Sequence, residues 1–305
     1  MELLNQFQKA RNLIFFNWER YLWRDMMTES RKYSLAYLTI PGTTPEEMTY
    51  IASSAGYDYV SFRLIQMALP GEPDFHLIKN KRLLKNTKLA MENTGVQLLD
   101  IELARIDEEK DPKDYEPAFE TAAELGGKHV ISSIWTDNYP LYIERFAQIC
   151  DLAKQYELTV ELEFVPIASI KTLAEVVQIL ETVKKENAGI LIDIHHFHRA
   201  GEKPEDLAQL PKEWFRFVHL CDAPSKIPDT TDEMIHIIRE ARSYIGDGGI
   251  DIHSIVDVLP IVPFSIELPN TESIQKYGKL EHARKALSSA KKYFSEKSKT
   301  GRDNR

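Results

Sequence analysis

The chain has 305 residues, of which 43% are hydrophobic and 28% are charged, and this balance is typical of a globular protein. Its formal net charge of −9 disfavours a nucleic acid as partner, because an acidic surface repels the phosphate backbone. No stretch approaches the roughly 20 apolar residues of a membrane span. The two cysteines, Cys150 and Cys221, lie far apart and suit a reducing compartment, so we expect a cytoplasmic protein without a membrane partner.

Short β-rich runs alternate with helical patterns along most of the chain. Eight strands are predicted, at 33–40, 57–64, 96–103, 128–133, 158–164, 189–193, 215–221 and 264–268. Helices are predicted between them, opening at Thr44 and then near 81–93, 115–125, 141–156, 171–186, 204–210, 231–243 and 271–294.

This alternation predicts an α/β fold with a parallel sheet, and eight strands close a (β/α)8 TIM barrel. The alternative is an open doubly wound sheet, which usually carries a Gly-rich phosphate loop after its first strand. The turn 39–44 holds a single glycine, which favours the barrel. We therefore expect a single barrel domain over residues 33–294.

Both ends of the chain lie outside the repeating pattern. Residues 1–32 form an N-terminal extension that is rich in aromatic residues, and three interpretations stay open for it. It is an extra helix under the barrel, a helix that binds a partner, or a segment upstream of a true start at Met27. The polar tail 295–305 is predicted to be disordered.

Ionisable residues stand at the carboxyl ends of the last four predicted strands, which is where barrel enzymes carry their chemistry. They are Glu163, Asp193, His219 and Glu267. A single acid at a strand end is more often a helix cap or an ion-pair partner than a ligand, but neighbouring strands lie about 4.8 Å apart, so four in succession converge. Three carboxylates beside an imidazole repel one another unless a cation binds them, so we predict one divalent metal ion, Mn²⁺, Mg²⁺, Co²⁺ or Zn²⁺.

Two glutamates of predicted strand five are candidates for the same ligand position. Glu161 and Glu163 share a face of strand five, and Glu163 is preferred as the ligand because it lies nearer the barrel mouth. Glu161 would lie one layer deeper, where a buried charge needs a partner. His196, three residues after Asp193, is interpreted as a substrate contact beside the metal, the alternative being a histidine of a surface loop.

Three more residues are candidates for substrate binding. Arg63 and Glu102 fall at the predicted ends of strands two and three, where they could orient a polar ligand or simply pair with each other. Trp135 follows strand four and would form an apolar wall, unless it is a core residue. The Gly-rich segment 244–251 precedes strand eight and would reach a site only by folding back over the mouth.

Several sequence runs together resemble the xylose isomerase-like TIM barrels, the superfamily of sugar phosphate isomerases and epimerases. The runs are VELEFVP at 160–166, LIDIHHFHRAG at 191–201, FVHLCDAP at 217–224, GDGGID at 246–251, SIELP at 265–269 and AGYDYVSFRL at 55–64. The resemblance covers about residues 33–290. It implies that Glu163, Asp193, His219 and Glu267 bind the metal and that His196 contacts the substrate.

The resemblance also implies a reaction. The two glutamates, Glu163 and Glu267, would serve as catalytic acid and base in a metal-dependent isomerase or epimerase of a small sugar, sugar phosphate or related hydroxy-ketone. A dehydratase of a cyclic polyhydroxy ketone, of the inosose or dehydroshikimate type, and a non-enzymatic sugar-binding barrel remain alternatives. His219 favours the isomerase, since dehydroshikimate dehydratases of this superfamily tend to carry glutamine there. A homo-oligomer is a further expectation from the family.

Overall fold

A computed structural model gives the fold. It describes residues 31–303 except 68–71, 74 and 76, and it describes side chains up to residue 295. The predicted extension 1–32 falls almost wholly outside these residues and stays a prediction. Residues Lys32–Ala290 form one compact unit, which holds all eight strands of the barrel.

Eight parallel strands close into a barrel, so the predicted (β/α)8 architecture is confirmed. Each strand pairs with the next along the chain, and the last pairs with the first. The strands are β1 Tyr33–Leu35, β2 Tyr59–Arg63, β3 Gln97–Ile106, β4 His129–Ile134, β5 Thr159–Glu163, β6 Ala188–Asp193, β7 Val218–Leu220 and β8 Phe264–Ile266.

Helices follow the strands and cover the outside of the sheet. In the described residues they are α1 Pro45–Ala55, α2 Lys81–Thr94, α3 Glu116–Glu124, α4 Tyr139–Gln155, α5 Leu173–Val183, α6 Ile194–Arg199, α7 Pro204–Leu207, α8 Thr231–Glu240, α9 Ile252–Val256, α10 Thr271–Tyr277 and α11 Lys279–Asp303. Helix α1 begins as predicted at Thr44, whose hydroxyl accepts from the Glu47 amide in a reciprocal capping box.

Several predicted boundaries were wrong, for local reasons. Strand β1 stops at Leu35 because a 3-10 turn, Tyr37–Thr39, follows it, whereas β3 continues three residues beyond its predicted end. The predicted helix 271–294 is two helices, since Gly278 leaves helical geometry with φ 77° and ψ 161°. The backbone of α11 is helical to Asp303, inside the tail that was predicted to be disordered.

The lower interior of the barrel is a packed apolar core. Leu99, Ile131, Leu191 and Phe217 meet there, which is the usual filling of such a barrel. Glu161 lies at this level and has the partner that its burial requires, because its carboxylate accepts from the Arg216 guanidinium at 3.0 Å. Among the described helices, none is long and apolar enough to cross a membrane.

Candidate metal centre

The four predicted ligands meet at the barrel mouth. Glu163 and Asp193 are the last residues of β5 and β6, His219 is the middle residue of β7, and Glu267 directly follows β8. The Nδ1 atom of His219 lies 3.6 Å from Glu163 Oε1, 3.9 Å from Asp193 Oδ2 and 3.5 Å from Glu267 Oε2. All four residues are buried, so strand order and barrel closure bring them to one small, desolvated volume.

Ligand atoms of three of these residues lie close together, near the spacing of atoms around a metal ion. Ligands held at about 2.0–2.2 Å from one ion lie roughly 3–3.5 Å apart, which is longer than a hydrogen bond. Glu163, Asp193 and His219 offer atoms within 4.8 Å of one another. Within the part of the chain that the structure describes, Glu163 Oε1 and both ring nitrogens of His219 are buried without a hydrogen-bond partner. These unsatisfied donor atoms fit a divalent ion.

The electrostatics of the cluster also favour a cation. Burial lowers the pKa of His219, but the negative charges of Glu267 and Glu163 outweigh it, so the pKa lies well above its usual value. Burial alone would raise the pKa of Asp193, yet the charge of Arg242 holds it below its usual range. Asp193 therefore stays ionised, and its negative charge favours a positive charge beside it, either a proton on His219 or a metal ion.

Arg242 was missed by the sequence analysis. Its buried guanidinium donates from Nη1 to Asp193 Oδ2 at 2.6 Å and lies 3.0 Å from Glu267 Oε2. The residue fell inside the predicted helix 231–243, but α8 ends at Glu240. The Gly-rich run that begins four residues later at Gly246 was the available signal, because it indicates a loop in this segment.

The segment around Arg242 returns to the mouth, as a role in the site would require. Ser243 forms an antiparallel bridge with Asp222, which lies two residues after the end of β7. The Asp222 carboxylate accepts hydrogen bonds from the backbone amides of Gly246, Gly248 and Ile250. Asp222 therefore anchors the Gly-rich loop beside the ligands, a role that was not predicted.

The histidines after Asp193 lie on a short buried helix rather than in a surface loop. Asp193 caps α6 by accepting from the His196 amide at 3.0 Å. His195 and His196 are both buried, and their Nδ1 atoms lie 3.2 Å apart. With Asp193 they form a second group that could hold a metal ion. Burial, with the charge of Arg242, lowers the pKa of His195 to about 2, so this ring is neutral.

Arg63 and Glu102 lie opposite each other on β2 and β3 and form an ion pair, with 3.4 Å between Arg63 Nη2 and Glu102 Oε1. Arg63 also bonds Glu72 at 3.0 Å and lies over the Tyr37 ring. Glu102 is inside β3, not at its end as predicted. Burial raises the pKa of Glu102, and Glu163 and Glu267 act in the same direction while Arg63 opposes them.

Trp135 lines a neighbouring cavity of about 600 Å³, together with Leu103 and Arg105. Its indole Nε1 donates to Ser133 Oγ at 2.8 Å, and the Arg105 guanidinium lies 4.4 Å above its ring. Among the described residues that line this cavity, none is a predicted metal ligand. The structure therefore brings Trp135 to the mouth but beside the cluster, not into contact with it.

Two curated enzymes are similar to parts of this chain. The inosose isomerase of Bacillus subtilis strain 168 is 28% identical over 191 residues, which is 59% of this chain and 66% of that enzyme. The 3-dehydroshikimate dehydratase of Bacillus anthracis is 26% identical over 107 residues, covering 35% of this chain and 36% of the other. The matches therefore span less than two thirds of either relative.

Solved structures and a family model give the broader relationship. A crystal structure of the IolI protein with a binding zinc atom superposes with a TM-score of 0.72 at 22% identity, covering 87% of this chain and 98% of that one. At 22% sequence identity, this similarity shows a shared fold and nothing further. The model of the xylose isomerase-like TIM barrel matches residues 50–293, which is most of the chain. With the closed eight-stranded barrel, this match means that the chain belongs to the xylose isomerase-like TIM barrel family.

Proposed function

We propose that this protein is a divalent-metal-dependent isomerase or epimerase that moves a proton at a carbon next to a carbonyl group of a small polyhydroxy ketone or sugar. The observation that carries the proposal is the cluster of Glu163, Asp193, Glu267 and the unpartnered His219 at the barrel mouth. An inosose isomerase among the relatives supports the same reaction class.

The reaction needs an acid and a base on the chain. Glu163 and Glu267 are the proposed pair, since each lies within 3.6 Å of the same imidazole nitrogen but Glu163 ends β5 and Glu267 follows β8. A bound divalent ion would polarise the substrate carbonyl and acidify the adjacent C–H bond. One glutamate then takes the proton from that carbon, and the other returns a proton.

Two further residues would hold the substrate and the acids in place. His196 is the proposed substrate contact, because it is buried in the first turn of α6 and its amide donates to the candidate ligand Asp193 at 3.0 Å. Arg242 keeps Glu267 ionised: burial raises the pKa of that carboxyl, but the charges of His219 and Arg242 outweigh the effect and lower it. An ionised carboxylate is the form that a base requires.

The charge of the site favours an uncharged substrate over a sugar phosphate. Arg63 and Arg242 are each held between two carboxylates. A phosphate group would have to compete with those acids and would bring more negative charge to a site that is already acidic. We therefore propose a neutral hydroxy-ketone.

A dehydratase is the second candidate, and Glu102 is the observation that favours it. Its carboxyl is buried and its pKa is raised, so it holds a proton more readily than an ordinary glutamate does. Such a group could donate that proton to a leaving hydroxyl after the C–H bond is broken. The dehydratase relative from Bacillus anthracis supports this alternative.

Proton exchange in D2O tests the first proposal. The purified chain with Mn²⁺ is incubated with neutral ketoses and inososes, and with phosphorylated sugars as a comparison, and deuterium incorporation is followed by NMR. We expect exchange next to the carbonyl of a neutral substrate and none with Glu267→Gln. The carboxamide of glutamine has nearly the shape of the carboxylate but cannot act as a base.

Three other results would contradict the proposal. Exchange only with phosphorylated sugars contradicts the neutral substrate. Enone absorbance that grows with an inosose or with dehydroshikimate, without isomerised product, favours the dehydratase. An inert panel together with a site that takes up no metal would instead favour a non-enzymatic sugar-binding barrel.

A further inference from the structure

A layer of small polar side chains lies inside the barrel directly below the candidate metal centre. In-register neighbours on parallel strands face the same side, and Ser34 of β1 is aligned with Ser265 of β8, which is aligned with His219 of β7. On the other wall Ser61 of β2 is aligned with Asp100 of β3. Bulky branched residues usually fill a barrel interior, so serines at these positions leave space.

This layer contains polar atoms without partners. Asp100 accepts a hydrogen bond from Ser61 through Oδ1. Its other oxygen, Oδ2, and the hydroxyls of Ser34 and Ser265 are buried and have no hydrogen-bond partner among the described residues. Leaving such groups unsatisfied costs about 1–3 kcal/mol each, so buried polar groups of this kind normally hold a water molecule.

His219 is aligned with Ser265, so its imidazole faces the same layer. Its Nδ1 atom faces the three carboxylates, and its Nε2 atom is also buried and unpartnered. Strands β3 and β7 are on opposite sides of the barrel, so Asp100 and His219 approach the axis from facing walls. Burial raises the pKa of Asp100 to about 7, and the charge of His219 and the hydrogen bond from Ser61 oppose that rise.

We propose that Asp100 is a positioning residue of the metal centre, acting through a buried water molecule that Ser34 and Ser265 help to hold. The water accepts the Nε2–H of His219 and donates to Asp100 Oδ2. The hydrogen on Nε2 fixes the tautomer that leaves the Nδ1 lone pair free for a metal ion. This inference rests on the metal centre proposed above and adds a residue from the half of the barrel that supplies no ligand.

Metal affinity tests the proposal without reference to turnover. Zn²⁺ binding by the full chain is measured by competition with a chelating dye. Loss of a group that orients a metal ligand costs about 10–100-fold in affinity, and we expect that loss for Asp100→Asn and a smaller one for Ser265→Ala. Ser132→Ala is the matched control, because Ser132 is an equally buried serine whose hydroxyl already bonds the Ala104 carbonyl, and it should leave the affinity unchanged.

A second measurement separates positioning from general destabilisation. Long-range ¹H–¹⁵N spectra of the Zn²⁺-loaded protein report which ring nitrogen of His219 carries hydrogen. We expect Nε2–H in the unaltered chain and mixed or faster-exchanging signals in Asp100→Asn. Equal affinity and equal spectra for both proteins overturn the role of Asp100 but leave the metal centre intact. An unaltered chain that binds no divalent metal overturns both proposals.

Discussion

At the scale of single residues, two glutamates of one strand show how partners decide a role. Glu161 and Glu163 are two positions apart on β5 and face the same side. Glu161 is tied to Arg216 at 3.0 Å, with Thr159 donating to its other oxygen at 2.6 Å. Glu163 has an unpartnered oxygen beside His219. The first is satisfied by the protein, and the second is available to a ligand.

We predict opposite effects for the two amide substitutions. Glu163→Gln should lower the affinity for Zn²⁺ or Mn²⁺ by at least about 100-fold. Loss of a group that only orients a metal ligand costs up to about that much, and loss of a ligand should cost at least as much. The substitution should not destabilise the metal-free protein, since it removes one of several crowded negative charges. Metal titration and urea denaturation of the metal-free protein measure the two effects.

The contrasting variant is Glu161→Gln. It leaves Arg216 without its charged partner and should cost roughly 1.5–3 kcal/mol of unfolding free energy, the value of a hydrogen bond to a charged group. Its metal affinity should stay near that of the unaltered chain. If Glu161→Gln abolished metal binding while Glu163→Gln did not, the choice between the two would be wrong.

At the scale of elements, the stretch between α8 and β8 connects a helix to a strand and also places a side chain in the candidate site. After Glu240 the chain leaves the helix, places Arg242 between Asp193 and Glu267, and then forms the Gly-rich loop on Asp222. Helix-to-strand connections usually run along the bottom of a barrel. This one returns to the mouth because the three loop amides bind one carboxylate there.

We predict that Gly248→Ala displaces this loop. A Cβ atom at Gly248 would meet Asp222 Oδ1 at 2.3 Å and the Ala223 carbonyl oxygen at 2.5 Å, and both of these neighbours are buried. Such overpacking costs about 1–3 kcal/mol and would pull Asp222 from the loop amides. Proton-exchange activity should fall by more than the loss of stability explains. The measurement is activity at a temperature well below that of unfolding, where both proteins stay folded.

Gly95→Ala is the control for that experiment. Gly95 ends α2 with φ +74°, and an added Cβ meets nothing within 4 Å. The substitution should cost about 1–2 kcal/mol through backbone strain alone and leave activity per folded molecule unchanged. Equal activity losses in the two variants would mean that the loop on Asp222 has no specific part in the site.

At the scale of the whole molecule, barrel closure is what creates the cluster. The candidate ligands are residues 163, 193, 219 and 267, which span more than one hundred residues of chain, and only a closed sheet brings β8 beside both β7 and β1. The first half of the barrel adds Arg63, Glu102 and Asp100 from the facing wall. A metal bound to the last four strands would therefore tie distant parts of the chain together.

Metal binding should accordingly stabilise the folded state. A ligand that binds only the folded protein adds about 2.7 kcal/mol when its free concentration is one hundred times Kd. We expect the midpoint of thermal unfolding to rise by several degrees with added Mn²⁺ or Zn²⁺ and to return after chelation. His219→Asn should show no such rise, and a rise as large as that of the unaltered chain would contradict the ligand assignment.

The sequence alone determined the architecture and the candidate ligands, because both follow from local order. Alternation of strands and helices fixed the number of strands, and a polar residue at a strand end stands out where an apolar one is expected. The sequence is enough to predict the four candidate ligands, the partner that Glu161 needs and the helix cap at Thr44.

The tertiary structure decided what depends on contacts across the barrel. Arg242 entered the cluster only because α8 ends before it and the chain folds back on Asp222. Arg63 proved to be held by two carboxylates, and Asp100 proved to be buried with an unpartnered oxygen on the strand opposite that of His219. Such facts follow from register, closure and the direction of a loop, which no periodicity in the sequence encodes.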